Sequence, residues 1–154
     1  MRQRLEHKGF RWAGVTLYVG YGTFSPVRAA DIRQHAMHSE FVEVPEESAQ
    51  AIREAKEAGL PVIAVGTTSA RSLEGMYAAR GGVEAFTGET DIFIRPGRRF
   101  NVVDGLVTNF HLPESSLLIM VSTLAGRQRV LDAYALALAQ GFRFFSYGDA
   151  MLIV

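Results

Sequence analysis

The densest group of chemically capable side chains in this sequence is the segment of residues 108–116. It carries the amide of Asn109, the imidazole of His111, the carboxylate of Glu114 and three hydroxyls, all between two apolar runs. An imidazole is the usual general acid or base near neutral pH. A polar group enclosed in this way either caps a buried helix or faces a ligand. Both interpretations stay open on these residues alone: Ser115 is placed to cap the following helix, and Asn109 and His111 carry the groups that a ligand site would use.

Residues 65–71 combine a glycine turn with a predicted helix start, where free backbone N–H groups favour an anion. The hydroxyls of Thr67, Thr68 and Ser69 either cap this helix or bind that anion. Arg71 stands in the first turn, where a cation opposes the helix dipole. A negative partner is therefore expected, either a ligand phosphate or carboxylate or a protein carboxylate such as Glu74. The spacing matches neither a Walker motif nor a GxGxxG motif.

A second glycine-containing loop follows another predicted strand and consists of Gly20, Tyr21, Gly22, Thr23 and Phe24. Glycine lets the backbone approach a ligand closely, and strand ends are where α/β sheets bind ligands. The alternative interpretation is an ordinary turn, which the spacing alone favours.

Two imidazoles, those of His35 and His38, stand three residues apart and would share one face of a helix. In one interpretation Glu40 or His111 completes a metal site with them, although the available ligands are few. General acid–base work is a second interpretation, and an exposed helix end is a third.

Two turns complete the set of polar clusters. Residues 95–99 carry three arginines and suit either a phosphate backbone or simple solvation. Residues 144–149 join two apolar segments and include Tyr147 and Asp149. A carboxylate in such a place is either a turn-former or partly buried with a partner.

The composition limits the class of protein. The 154 residues fit one globular domain, and 48% of them are hydrophobic. Basic and acidic residues number 16 each, which argues against a uniformly basic surface coating nucleic acid. The absence of cysteine excludes disulfides, thiolate catalysis and cysteine-bound metals. Residues 2–8 lack the apolar core of a signal peptide, and no apolar run is long enough for a bilayer, so a cytoplasmic setting is expected.

Strands and helices alternate along the chain, which predicts an α/β fold with a mainly parallel sheet. Glycines and prolines mark most of the boundaries. The predicted strands are residues 12–19, 41–44, 61–65, 91–94, 102–107 and 142–145, before an apolar tail at 150–154. The predicted helices are residues 2–8, one or two turns within 31–38, 45–58, a helix from the 66–69 turn to residue 79, 115–125 and 128–140.

The polar clusters, taken together and in order, resemble the C-terminal half of the S-adenosylmethionine:tRNA ribosyltransferase-isomerase family of queuosine biosynthesis. The matching segments are residues 19–24, 26–27, 35–40, 65–69, 71–74, 92–97, 108–113 and 144–151. One departure is Tyr18, where the family usually has a histidine. The resemblance implies that residues 1–154 are a single α/β unit, the C-terminal part of a larger barrel-like domain. It also implies that an inserted β-barrel domain and preceding α/β elements are absent, as in a fragment, a truncated gene product or a reduced homologue.

What the resemblance implies about activity is specific. The ribosyl part of S-adenosylmethionine is transferred to 7-aminomethyl-7-deazaguanine in tRNA and isomerised, which gives epoxyqueuosine-tRNA. S-adenosylmethionine is then a substrate, and no cofactor or metal is implied. The partners are that tRNA, S-adenosylmethionine and a missing N-terminal half, with no membrane.

The resemblance also implies roles for individual residues of these clusters. We predict that Glu40 or Asp149 accepts protons and that His111 or His38 passes one to adenine. The 66–69 helix start with Arg71 would hold the methionine carboxylate or a tRNA phosphate. Aromatic rings, including that of Phe110, would face the sulfonium or stack on a base. The predicted substrate-binding residues are Gly20, Gly22, Thr23, Phe24, Thr67, Thr68, Ser69, Arg71, Asn109 and Tyr147.

Two alternatives remain open on the sequence. The first is a truncated, non-catalytic module that is derived from such an enzyme and still binds nucleotide or RNA. The second is a metal-dependent hydrolase, which needs a bound metal ion.

Overall fold

The computed structural model describes residues 2–20, 27–28 and 31–154, and it places the described strands in two three-stranded sheets. The predicted residues Gly22, Thr23 and Phe24, with Tyr21, lie outside the described part of the chain. The helices are α1 (Arg2–Glu6), α2 (Glu46–Glu57), α3 (Thr67–Arg80), α4 (Ser116–Ala125) and α5 (Arg127–Ala139). The strands are β1 (Thr16–Tyr18), β2 (Glu40–Val44), β3 (Ile63–Val65), β4 (Phe86–Thr90), β5 (Gly105–Asn109) and β6 (Ala150–Ile153).

The first sheet has the order β1-β2-β4 and is antiparallel throughout. Tyr18 pairs with Phe41, and Glu40 pairs with Thr90. The end of β1, the beginning of β2 and the end of β4 therefore meet at one end of this sheet.

The second sheet has the order β3-β5-β6 and contains the parallel pair β3 and β5. Val65 pairs with Val107, so the carboxyl ends of these two strands lie side by side. Strand β6 runs antiparallel to β5, with Asn109 opposite Ala150. The clusters around residues 66, 109 and 149 consequently lie at one end of this sheet.

The prediction of a mainly parallel sheet is wrong, because three of the four described strand pairings are antiparallel. The alternation of strands and helices is real, but the helices connect the two sheets. Helix α2 leads from β2 in the first sheet to β3 in the second, and α3 leads back to β4 in the first. A helical crossover makes neighbouring strands parallel only when both strands belong to the same sheet.

Two predicted strands are wrong. Residues 91–94 form no strand, although Ile92 and Ile94 are both buried, and the strand lies just before them in β4. The side chains of residues 91–94 therefore alternate between more exposed and buried positions, although their backbone does not pair with another strand. Residues 142–145 form no strand, and Phe144 packs against the rings of Phe110 and Tyr134, at centroid distances of 5.1 and 5.6 Å. The apolar tail forms β6 instead.

The predicted helices from α2 to α5 are confirmed to within two or three residues. Of the two interpretations open for Ser115, the structure shows the helix cap, since its hydroxyl oxygen accepts the N–H of Leu118 at 3.1 Å. Residues 31–38 hold only a single 3₁₀ turn, Ile32–Gln34, and residues 35–39 are neither helix nor strand. None of the helices in the described residues is both long enough and apolar enough to span a membrane.

Helix α3 is the central element, because all seven residues from 70 to 76 are buried. Gly75 permits this position: a Cβ atom there would lie 2.5 Å from Oγ1 of Thr90 on β4. The close approach of helix and strand fixes the depth at which Arg71 and Glu74 enter the interior.

Candidate functional site

A buried ion pair between Arg71 of α3 and Glu40 of β2 forms the centre of the site. The two side chains are only 5% and 1% exposed, and Nη1 of Arg71 donates to Oε2 of Glu40. Oε1 of Glu40 also accepts the backbone N–H of Gly20 at 3.3 Å. Three residues predicted from separate segments are therefore in direct contact. The negative partner expected for Arg71 is a protein carboxylate, but it is Glu40 and not Glu74.

The rest of the Arg71 guanidinium is buried without compensation. Among the described residues, its Nε and Nη2 atoms have no hydrogen-bond partner. Arg71 also lines a small pocket together with Ser116 and Leu117, the first two residues of α4. Glu40 thus accepts a hydrogen bond from Nη1 of the guanidinium, while Nε and Nη2 have no acceptor on the described part of the chain.

Glu74, one turn further along α3, organises a loop. Its Oε1 accepts the backbone N–H groups of Asn101, Val102 and Val103 at 3.0, 2.9 and 3.0 Å. This role has no signal in the sequence, because the partners are backbone amides 27 to 29 residues away. The buried carboxylate holds the segment that leads into β5.

The predicted anion-binding helix start lies where α3 meets the second sheet. Gly66 adopts a φ of +91°, and its N–H donates to the carbonyl of Val107 at 2.8 Å. Gly66 supplies no side-chain cap, while the hydroxyl of Ser69 donates to the carbonyl of Val65 at 2.9 Å. Thr67 and Thr68 are the first two residues of α3. This helix start therefore lies beside the end of β5, next to Thr108 and Asn109.

His111 is held in a semi-buried position by two contacts. Its Nε2 lies 2.9 Å from Oγ1 of Thr108, and its backbone N–H donates to the hydroxyl of Tyr134 at 2.8 Å. Burial lowers the pKa of His111 from 6.5 to about 4. The imidazole is consequently neutral at pH 7 and can accept or donate a hydrogen bond according to its tautomer. Sequence analysis selected His111 but did not identify Thr108 or Tyr134 as its partners.

Asn109 and Asp149 are joined, although not through the carboxylate. Nδ2 of Asn109 donates to the backbone carbonyl of Asp149 at 3.1 Å. The Asp149 carboxylate accepts the backbone N–H of Arg143 at 2.7 Å and lies 3.6 Å from Nη2 of the same residue. The backbone hydrogen bond, followed by the Arg143 side chain, lowers the pKa of Asp149. Asp149 therefore closes the turn of residues 143–149 and is also partly buried with Arg143 as its partner, so both interpretations from the sequence apply to it.

Other predicted residues stand apart from these contacts. His38 is exposed, and His35 makes an edge-on contact with Phe93 at 5.3 Å. Within residues 2–20, 27–28 and 31–154, no three His, Asp or Glu side chains are grouped as metal ligands. Tyr147 is 96% exposed. Phe110 is buried among aromatic rings, so the prediction that it contacts a ligand is not supported.

The basic turn is confirmed as a turn, since the N–H of Arg98 donates to the carbonyl of Arg95 at 3.0 Å. Arg98 and Arg99 are exposed, as expected for charged turn residues.

Comparison with known proteins identifies relatives along the whole chain. Residues 1–153 match the family model described as queuosine biosynthesis protein. An S-adenosylmethionine:tRNA ribosyltransferase-isomerase from Oleidesulfovibrio alaskensis is 65% identical over 150 residues, 97% of this chain. The enzyme of the same name from Francisella tularensis subsp. novicida is 51% identical over 99% of this chain.

The fold is also similar to a solved structure. The crystal structure of S-adenosylmethionine tRNA ribosyltransferase from Thermotoga maritima superposes with a TM-score of 0.81 at 42% identity, and it covers 99% of this chain. The chain spans only part of these relatives: 40% of the O. alaskensis protein, 45% of the F. tularensis protein and 48% of the T. maritima chain.

Proposed function

The chain belongs to the queuosine biosynthesis protein family, as its sequence resemblance predicted, and we propose that it carries the reaction site of an S-adenosylmethionine:tRNA ribosyltransferase-isomerase. The observation that supports this most strongly is 65% identity over 97% of the chain with a protein of that name. A shared site is expected at this level of identity, and the ion-paired Arg71 and Glu40 at its centre belong to matching segments.

The proposed reaction acts on 7-aminomethyl-7-deazaguanine in tRNA. The amino nitrogen forms a bond to the ribosyl group of S-adenosylmethionine, and the bonds from that group to adenine and to sulfur break. Rearrangement of the ribosyl carbons gives the epoxycyclopentane of epoxyqueuosine-tRNA, with adenine and methionine as leaving groups. The sulfonium makes its neighbouring carbons acidic, so one positioned base is enough to begin the rearrangement.

Four side chains are proposed for the proton transfers. Glu40 or Asp149 accepts a proton from substrate, and His111 or His38 delivers one to the departing adenine. The low pKa of His111 favours the neutral imidazole, which suits a hydrogen-bonded relay better than a stored positive charge. The exposed His38 is the alternative donor.

Substrate binding is proposed for the glycine loop and the strand ends. Gly20, Gly22, Thr23 and Phe24 would approach the nucleoside. Further contacts would come from Thr67, Thr68, Ser69, Asn109 and Tyr147, with Arg71 as the anion-binding residue.

The second candidate function is a module that binds nucleotide or RNA without catalysis. Both candidates use the same site, and only product formation separates them.

The decisive experiment is a chimera in which the preceding part of the O. alaskensis enzyme is joined to this chain. We expect the chimera, incubated with S-adenosylmethionine and tRNA containing 7-aminomethyl-7-deazaguanine, to yield epoxyqueuosine in nucleoside digests measured by mass spectrometry. Glu40→Gln and His111→Gln should slow the reaction at least tenfold, whereas the exposed control Glu57→Gln should not. A folded chimera that binds both substrates but forms no product would favour the binding module.

A further inference from the structure

A pocket of about 10 Å³ lies between α3, the start of α4 and the segment that follows β4. It has room for one water-sized group. Arg71, Ser116 and Leu117 provide its polar part, and apolar side chains, among them Met37, Phe93 and Met120, form its walls.

The polar part of this pocket consists of donors. The Arg71 side chain is only 5% exposed. In the described part of the chain, its Nε and Nη2 atoms have no hydrogen-bond partner. Glu40 engages the guanidinium through Nη1. An arginine presents Nε and Nη2 as a planar fork that matches a carboxylate.

The start of α4 adds a second, independent set of donors. The Ser115 hydroxyl caps the N–H of Leu118, three residues on. The N–H groups of Ser116 and Leu117 precede it and have no hydrogen-bond partner among the described residues. Unpaired amides at a helix start carry partial positive charge and bind anions.

We propose that this pocket binds a carboxylate and, resting on the proposed function, that this is the carboxylate of the methionyl part of S-adenosylmethionine. The fork of Arg71 and the first amides of α4 hold its two oxygens. The apolar walls suit the methylene carbons that link the carboxylate end of this ligand to its sulfonium. Because the pocket has room for only one water-sized group, this binding requires a wall side chain to move, and Met37, in a segment without helix or strand, is the candidate.

This placement differs from the one predicted from sequence. The sequence predicts that Arg71 acts with the start of its own helix, α3. In the structure, its side chain reaches Glu40 and the pocket at the start of α4. The anion site is thus formed by residues of two helices, Arg71 of α3 and Ser116 of α4, which are 45 positions apart in the sequence.

The test is calorimetric titration of this chain and of Arg71→Lys, which keeps a cation beside Glu40 but loses the fork. The probes are S-adenosylmethionine, S-methyl-5′-thioadenosine, which lacks the carboxylate, L-methionine, L-methioninol and inorganic phosphate. We expect Arg71→Lys to weaken S-adenosylmethionine binding at least tenfold and to leave S-methyl-5′-thioadenosine within twofold. L-methionine should bind, and L-methioninol should not. The exposed control Arg129→Lys should match the wild-type chain.

A second pair of variants leaves Arg71 untouched. Ser116→Pro removes one amide at the first helical position, where proline is well tolerated, and the extended Ser115 before it is compatible with proline. Ser116→Ala removes the same hydroxyl but keeps the amide. We expect S-adenosylmethionine binding to fall several-fold more in Ser116→Pro than in Ser116→Ala.

Three results would overturn the proposal: no binding of S-adenosylmethionine or L-methionine to the wild-type chain, equal binding by Arg71→Lys, or competition by phosphate but not by L-methionine. Assays on the chimera distinguish rejection of the proposed pocket from rejection of the proposed function. Product formation with an unchanged KM for S-adenosylmethionine in Arg71→Lys rejects the pocket alone. Carboxylate-dependent binding without product rejects the function alone.

Discussion

The guanidinium of Arg71 and the carboxylate of Glu40 form an ion pair that joins α3 to the first strand position of β2, 31 residues earlier in the chain. Both side chains are buried, so the pair replaces hydration that each charge would otherwise have. The pair places the Arg71 cation at one end of the first sheet. Because Glu40 engages only Nη1, the Nε and Nη2 atoms of Arg71 are left for a ligand.

Removing one partner of this pair should be costly. We expect Glu40→Ala to lower the free energy of unfolding by about 3–5 kcal/mol, because Arg71 is left as an uncompensated buried charge. The double variant Glu40→Met with Arg71→Met should recover much of that loss, since apolar side chains of similar size can replace a buried pair. Urea denaturation measures both. An equal loss in the single and double variants would show that the charges are not the cause.

The burial of His111 predicts a pH-dependent stability. Its pKa is lowered from 6.5 to about 4, so the unfolded chain binds the proton more tightly than the folded chain. The stabilising contribution is therefore complete above about pH 6.5 and is lost as the pH falls toward 4, with a slope of at most about 1.4 kcal/mol per pH unit.

Denaturant unfolding of wild type and His111→Gln between pH 7.5 and 4.5 measures this contribution. The wild-type chain should lose more stability than the variant over that interval, because only its imidazole takes up the proton. The exposed His7→Gln should follow the wild-type curve. Parallel curves for wild type and His111→Gln would contradict the prediction.

The contact between Gly75 and Thr90 predicts that Gly75→Ala is destabilising. The added methyl would lie 2.5 Å from Oγ1 and 2.9 Å from Cβ of Thr90, so α3 must move away from β4. We expect a net loss of about 1–3 kcal/mol despite the better helix propensity of alanine. Thermal unfolding is the measurement, and Gly82→Ala is the control, because the nearest atom beyond the adjacent residues, Oε1 of Glu84, lies 3.9 Å from the added methyl there. Equal melting temperatures for the two variants would refute the close packing.

The role of Glu74 predicts different outcomes for two substitutions. Glu74→Ala leaves three backbone N–H groups without their acceptor, two of them on the buried Val102 and Val103, and should cost about 3 kcal/mol. Glu74→Gln retains an oxygen at the same place and should cost clearly less. Hydrogen exchange at these amides should be faster in Glu74→Ala. If glutamine is as damaging as alanine, the negative charge rather than the acceptor oxygen is what matters.

The local elements were determined by the sequence itself. Gly66, Gly81 and Gly126 mark helix boundaries, and the acidic first turn of α2 and the Ser115 cap follow from rules that act over four residues or fewer. The polar residues at the strand ends, including Glu40, Arg71, Asn109 and His111, were also identifiable, because short polar segments interrupt apolar runs there. The family was predictable from the order of these segments.

Only the tertiary structure decided how these elements pair and which partner each polar group takes. The sequence does not distinguish a helix that returns to its own sheet from one that crosses to another, so the parallel prediction failed although the elements were right. Arg71 had a plausible partner in Glu74 on its own helix, yet Glu74 binds the amides of residues 101–103 and Arg71 reaches Glu40 on β2. The physical reason is that burial of α3 removes water from both groups, and each must then take whichever distant acceptor or donor the packing brings within reach.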